Sequence, residues 1–441
     1  MEETQTKLTH CIALLQQHHS LLEALPTVTF VRESCLPAVW LDCLESWTYD
    51  QLLRLPALLH QVSEPELRAF LTEALALAPS YPELSEELPL SAFETWGMNP
   101  KKQHEVKRLG AFIQHATERL GVHNVVDLGA GLGYLSHLLT TRCALKVQAV
   151  EAQSHHSHAA QERSHFLARK LQQNATGLKV TALHVTAQNF VCREPCVLVG
   201  LHTCGDLASA SVRIATEVEA VRGLVNVGCC YHLLSETLPR VSSSFSDYQL
   251  RAGVSRTGEE LERTFVAEKG GFPLSSFLRA NFPHFYLGRL ARVLALTDME
   301  REMGARPHQK FQCYSYRAAF QWLLQEYCPD LALSVSVGKP VKSYSDFGDY
   351  ALQAAFQLQT HLPLSRQELN TLYSDRFQCE EKRAACQWVV RALLGPVVEH
   401  VLLLDRQLFL QERELTADLW QAFDPRTSPR CWLLAAFKPA N

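Results

Sequence analysis

The stretch Val125-Val126-Asp127-Leu128-Gly129-Ala130-Gly131-Leu132-Gly133-Tyr134-Leu135-Ser136 decides the fold. An apolar run closes on a carboxylate and passes into three alternating glycines. A helix-like stretch, Tyr134 to Thr141, follows at once. This pattern predicts a buried parallel strand that delivers a backbone turn onto a helix N-terminus. The missing side chains there let a ligand touch the main chain.

The glycines are spaced G-x-G-x-G, unlike the dinucleotide-binding G-x-G-x-x-G, and this favours S-adenosylmethionine over a nicotinamide cofactor. The next predicted strand, Leu145 to Glu151, strengthens that reading. It ends on an acid 18 residues beyond Gly133. A carboxylate at that strand end is placed to accept hydrogen bonds from both ribose hydroxyls. Asp127, Gly129, Gly131, Gly133 and Glu151 are therefore the expected cofactor contacts. Gln188, after the third strand, is a further candidate beside the adenine.

Strands and helices alternate outward from this turn. Asn99 is a candidate cap for a helix opening at Pro100, and Gly121 stops it. Strands follow at Val147–Val150, Val180–Val185, Val197–Leu201 and Leu224–Val227, with helices at about 156–173 and 207–219 between them. That rhythm predicts a doubly wound α/β sheet, Rossmann-like and mostly parallel. Near the end come a helix at about 381–413, bent near Gly395-Pro396, a segment Leu419–Phe423, a turn and an apolar strand Cys431–Phe437. This predicts a closing strand pair with the last strand antiparallel. The chain accordingly divides into a helical region (1–95), a first core part (96–235), a mostly helical insertion (236–380) and a last core part (381–441). Within the first region, Leu14 to Leu25 recur at helical spacing until Pro26. Further helices are expected at Thr48–Val62 and Pro65–Leu77, before a proline-marked linker.

At 441 residues, with 47% apolar and 20% charged residues, the composition is that of a globular chain with a substantial core. A net charge of −4 argues against wholesale electrostatic capture of nucleic acid and leaves only a local basic patch. The polar, acidic start lacks a signal pattern and no run of 18 apolar residues occurs, so no membrane span is expected. Fourteen cysteines scattered through regular elements read as reduced thiols of a cytosolic or nuclear protein.

Ligands in such sheets sit beyond the C-terminal strand ends. The fourth strand ends in Gly200-Leu201-His202-Thr203-Cys204-Gly205-Asp206, and the fifth in Asn226-Val227-Gly228-Cys229-Cys230-Tyr231-His232. His202, Cys204, Asp206, Cys230 and His232 are thus the candidate catalytic residues, with Tyr231 beside the acceptor. A histidine titrates in the range suited to removing an acceptor proton, which nominates His202 or His232 as base. A cysteine nucleophile at Cys204 or Cys230 is a lesser alternative. The spacings His202-x-Cys204 and Cys230-x-His232 are tighter than paired zinc ligands, so no metal is expected. The helix start Lys101-Lys102-Gln103-His104 is expected across the pocket mouth, its cations placed for a phosphate or carboxylate.

Pro100-Lys101-Lys102-Gln103-His104-Glu105, the glycine turn, Gly200 to Leu207 and Val227 to His232 together resemble the methyltransferase-like protein 25 family. So do Tyr316-Arg317-Ala318-Ala319, Leu403-Leu404-Asp405-Arg406 and Phe423-Asp424-Pro425 with Ser428-Pro429-Arg430. The likeness spans about 97 to 438. It implies a class I methyltransferase fold and methyl transfer from S-adenosylmethionine, and leaves the substrate open. The paired strand ends are also similar to a tRNA ribose methylase family with His-Leu-Cys-Gly and Cys-Cys-His-His elements. Here Thr203 replaces the leucine and Tyr231 separates Cys230 from His232. One relative in the family is named for a ribosomal RNA adenine dimethylase domain, yet Leu201-His202-Thr203-Cys204 lacks the Asn/Asp-Pro-Pro-aromatic element of adenine-N6 enzymes. The expectation is a methyltransferase acting on RNA before protein, with a protein partner possible on the N-terminal helices. The rival reading is a non-catalytic interaction scaffold on the same fold.

Overall fold

A computed structural model describes residues 1–24, 35–171, 177–237, 265–266, 270–304, 306–334, 341 and 343–439. Nine strands are assigned among them: β1 (Asn124–Leu128), β2 (Lys146–Glu151), β3 (Leu178–Ala182), β4 (Cys196–Cys204), β5 (Val221–Cys229), β6 (Glu236–Thr237), β7 (Phe265–Val266), β8 (Thr416–Gln421) and β9 (Trp432–Phe437). Seven form one sheet in the order β3-β2-β1-β4-β5-β9-β8. The pairings from β3 to β5 are parallel, and β9 runs antiparallel to both β5 and β8. This is the Rossmann-like class I methyltransferase sheet, with the antiparallel last strand that the sequence predicted.

The central strands read as continuous apolar runs because both faces are covered. Val125, Val197 and Val225 pack beneath Val106, Leu109, Ile113 and Leu138 of the Pro100–Leu120 and Tyr134–Arg142 helices. On the other face Val126, Leu198 and Leu224 meet Val212 and Ile214 of the Asp206–Glu217 helix, with Leu403 and Leu410 of the Gly395–Gln411 helix. The Pro100–Leu120 helix begins and ends as its sequence dictates. The Asn99 side chain accepts from the Lys102 N–H at 2.8 Å, and Gly121 takes the left-handed conformation at φ 62°.

Several boundaries differ from the sequence reading, for local reasons. The expected helix at 48–62 is an α-helix, Tyr49–Leu53, followed by a 3₁₀ stretch, Leu55–Gln61. Pro56 has no N–H to continue the α ladder. The third strand stops at Ala182, and residues 183–188 line the cleft instead. The proline-marked linker also docks. Gln421 N–H donates to the Pro82 carbonyl at 2.8 Å and Leu84 N–H to the Gln421 carbonyl at 3.0 Å, covering the outer edge of β8.

The N-terminal helices do not stand apart. Leu8, Ile12 and Leu15 share one buried cluster with Leu278, Leu287 and Leu294 of the insertion and Val397, Val401 and Leu408 of the Gly395–Gln411 helix. The later part of the insertion has its own cluster around Phe320, Phe347, Tyr350 and Phe377. The Ser-rich stretch Val241 to Asp247 lies outside the described residues. One helical stretch, Gln378–Gln411, is long and apolar enough to cross a membrane by length and composition alone. Of its most apolar window, 94% is buried within the protein.

Candidate active site

The glycine turn is fixed from behind. Gly129 and Ala130 donate their N–H groups to the Val150 carbonyl at 2.8 and 3.2 Å. Gly131, at φ 55°, donates to Glu151 Oε2 at 2.9 Å, while Gln153 N–H reaches Glu151 Oε1 at 2.9 Å. A Cβ built on Gly131 would meet nothing within 4 Å, so the main chain there borders open space. A side chain at that left-handed position would also be strained. Gly133 caps the Tyr134–Arg142 helix at φ 71° and directs its N-terminus toward the turn.

Beside this turn lies a cleft of ≈ 460 Å³, lined in part by Gly129, Glu151, Gln188, Cys204, Asp206 and Arg213. That volume lies within the range of small-molecule sites. The loop carrying Gln188 is tied by Asn189, whose side chain receives Thr186 N–H at 2.8 Å and donates to the His184 carbonyl at 2.8 Å. Ser235 and, from the insertion, Gly270 and Gly271 also line the cleft. Ser209 Oγ donates to the Gly271 carbonyl at 2.8 Å and Arg213 to the Gly270 carbonyl at 2.9 Å. Asp206 accepts Ser235 N–H at 2.7 Å, so its carboxylate also fixes this lining.

Asp127 is fully buried at the end of β1. The Ser136 hydroxyl donates to its Oδ2 at 2.6 Å, and Oδ1 has no hydrogen-bond partner among the described residues. Burial pushes this carboxyl up to about 7, against the opposing effects of Ser136 and Lys102.

His202 owes its position to a bulge. Leu201 pairs with Val227 and Thr203 with Gly228, so His202 is an extra residue on β4, at φ 68°. The bulge carries its imidazole to Glu105 on the Pro100–Leu120 helix, Nε2 to Oε1 at 2.6 Å. Glu105 is fully buried and also receives the Ser428 hydroxyl at 2.8 Å and the Lys102 ammonium at 2.6 Å. Burial alone would raise its pKa. The hydrogen bond and charge of His202, together with Lys102, outweigh that and hold it well below the usual carboxylate range. A carboxylate only accepts, so Nε2 carries the proton. His202 Nδ1 is buried and has no partner among the described residues.

Cys204 and Cys229 are register partners across β4 and β5, with their sulfurs 3.2 Å apart. Cys230, in a left-handed turn, brings its sulfur to 3.6 Å from Cys229. The Cys229 hydrogen bond pulls the Cys204 thiol down to about 6, while Cys229 itself is pushed up, first by that same bond and then by burial. His232 follows on a 3₁₀ turn, its Nδ1 buried without a partner among the described residues. Burial and the cations Arg289 and Arg292 push its pKa down.

The structure corrects three expectations for the acceptor side. Tyr231 is 1% exposed and its hydroxyl donates to Glu399 at 2.9 Å. It is a core residue, because the turn after β5 folds it under the sheet end. Lys101 and Lys102 do not stand free for a phosphate: their ammonium groups lie 3.5 and 2.6 Å from Glu105. His104 accepts Asp424 N–H at 3.1 Å, which fixes the loop before β9. Sequence reading missed Glu105 and Ser428. The available signal was the acid placed three and four residues after two lysines on one helix face.

Residues 101–237 match a protein family described as a methyltransferase domain. The chain is 24% identical over 475 residues to the human protein named Probable methyltransferase-like protein 25, across 77% of this chain and 75% of that one. It is 29% identical over 249 residues to the mouse protein of the same name, across 56% of this chain and 38% of the mouse protein. Over much of its length this chain is thus similar to proteins named Probable methyltransferase-like protein 25. Similar solved structures include the plantazolicin methyltransferase BpumL in complex with SAH, at 11% identity and a TM-score of 0.23, covering 42% of this chain and 62% of that one. Another is M. capricolum TrmK with S-adenosyl-homocysteine, at 12% identity and a TM-score of 0.20, covering 33% and 57%. The family match and these relatives together mark residues 101–237 as a methyltransferase domain.

Proposed function

We propose that this chain is an S-adenosylmethionine-dependent methyltransferase with a macromolecular acceptor, RNA before protein. The observation that carries the proposal is Glu151 at the Gly131 main chain, beside a cleft of cofactor size. A non-catalytic scaffold needs neither an open main chain at Gly131 nor a carboxylate held at that point.

The residues present fit the cofactor. Glu151 would accept from ribose hydroxyls, and Gly131 admits the ligand where a side chain would obstruct it. Gln188 lines the cleft, and the Oδ1 of buried Asp127, without a partner among the described residues, offers an acceptor for an ammonium group. Bound there, S-adenosylmethionine supplies a methyl group on a positively charged sulfur. The protein aligns the acceptor, excludes water and accepts its proton. His202 Nδ1 is the assigned base, and Glu105 is a positioning residue that holds the ring and its tautomer. RNA is favoured because its hydroxyls and exocyclic amines are weakly acidic acceptors that benefit from such a base. A protein partner would dock on the outer face of the N-terminal helices, where Val39 is exposed.

Two measurements test this reading. Calorimetric titration with S-adenosylmethionine should show binding to the wild-type chain and none to Gly131→Arg; equal behaviour would favour a scaffold. Labelled-methyl transfer into nuclease- or protease-treated cell extract then identifies the acceptor. Label that survives nuclease and disappears with protease would make the acceptor a protein.

A further inference from the structure

From the three sulfurs at the ends of β4 and β5, we infer that Cys204, Cys229 and Cys230 form a binding site for a soft d¹⁰ cation, zinc being the expected ion. Their sulfur atoms all lie within 4.8 Å of one another, two of the separations being 3.2 and 3.6 Å. In tetrahedral zinc sites with Zn–S near 2.3 Å, sulfurs stand roughly 3.8 Å apart. Changes of up to about 1 Å in these separations therefore bring the trio to coordination distances. A disulfide would need the same sulfurs to close to about 2.05 Å.

The fold builds this cluster from two strand ends in equal register. Cys204 and Cys229 face each other across a parallel ladder, and the left-handed turn at Cys230 folds the third sulfur back onto them. The Cys204 and Cys229 thiols also lie 3.5 and 3.3 Å from the His202 carbonyl. On binding, each sulfur coordinates as a thiolate and its proton passes to solvent. Cys229 is buried whereas Cys204 is exposed and lines the cleft, so the ion has an entry path from that side. Three protein ligands with an accessible fourth position is the arrangement of reactive zinc sites, as opposed to closed structural ones. The fourth position would take water or a ligand atom entering from the cleft.

The inference does not depend on methyl transfer, and its test reads the metal directly. The full-length chain, purified under reducing conditions without chelator, is titrated with cobalt(II) and its zinc content is measured by elemental analysis. About one equivalent of zinc and sulfur-to-cobalt charge-transfer bands are expected, with Cys204→Ser and Cys230→Ser each weakening binding at least roughly tenfold. Cys192→Ser, which removes a separate thiol 3.5 Å from Cys196, should change nothing. Circular dichroism of the metal-free variants checks folding. If a variant at buried Cys229 unfolds, exposed Cys204→Ser decides the matter. Absence of charge-transfer bands in the reduced protein overturns the site. So does their persistence after Cys204, Cys229 and Cys230 are all changed to serine, or an intact mass showing a disulfide between two of them.

Discussion

The main-chain N–H of Gly131 donates to the carboxylate of Glu151 at 2.9 Å, across the gap between the ends of β1 and β2. One residue contributes by lacking a side chain and the other by having a charged one. The contact places an acceptor for sugar hydroxyls at the point where the backbone is most approachable. Glu151→Ala should therefore weaken S-adenosylmethionine binding about 10- to 100-fold, the loss of charge-assisted hydrogen bonds worth ~1.5–3 kcal/mol. Calorimetry measures it directly, and an unchanged Kd would remove Glu151 from the site.

Glu105 and His202 should separate under substitution. His202→Ala is expected to lower methyl transfer on the order of 10²-fold, with cofactor affinity intact. Glu105→Gln should leave part of the activity, because the amide still contacts the ring without fixing its tautomer. Single-turnover transfer alongside calorimetric Kd distinguishes these outcomes. Equal losses of affinity and rate in both variants would make the pair structural.

Asp127 predicts a specific pH trend. Unfolded, its carboxyl titrates near the ordinary aspartate value of 3.8; folded, it titrates at about 7. Between those values the folded state holds the proton more tightly, so this residue's contribution to stability falls as pH rises from about 4 to about 7. Buried His137, held down to about 4 by desolvation, acts in the opposite direction: its contribution is lost as pH falls from 6.5 towards 4. The wild type alone would blend the two. The difference in melting temperature between Asp127→Asn and wild type isolates Asp127, and it should shift in favour of the variant across that window. A flat difference would contradict the assignment.

The insertion depends on a fully buried ion pair, Glu236 with Arg292. Glu236 also receives the N–H groups of Leu287 and Gly288 at 2.6 and 3.0 Å. Arg292→Met should cost about 3–5 kcal/mol, because it leaves the carboxylate buried without its cation. Adding Glu236→Gln should recover much of that. Thermal melts of the single and double variants test it, and additive losses would argue against coupling.

Local chemistry made much of the fold legible. The Asn99 cap, the Gly121 stop, the glycine turn and the acid ending β2 each act over a few residues, and the structure shows all four in place. The acceptor side was harder to read because its logic is not local. Tyr231 reads as a site residue until the turn after β5 folds it under Glu399. Lys101 and Lys102 read as free cations until Glu105 is known to face inward. The thiol cluster was set aside on ligand spacing along the chain, whereas Cys204 and Cys229 meet through the register of two strands.

β8 reaches the sheet only by way of β9. A cut or frameshift before Cys431 would therefore detach two strands together and leave the flank of β5, with Leu224, Val225 and Val227, as an uncovered apolar edge. Such an edge invites pairing with other chains. Shortened products of this gene would be lost to aggregation before their chemistry could be assayed, even though the glycine turn and Glu151 lie far upstream of the break.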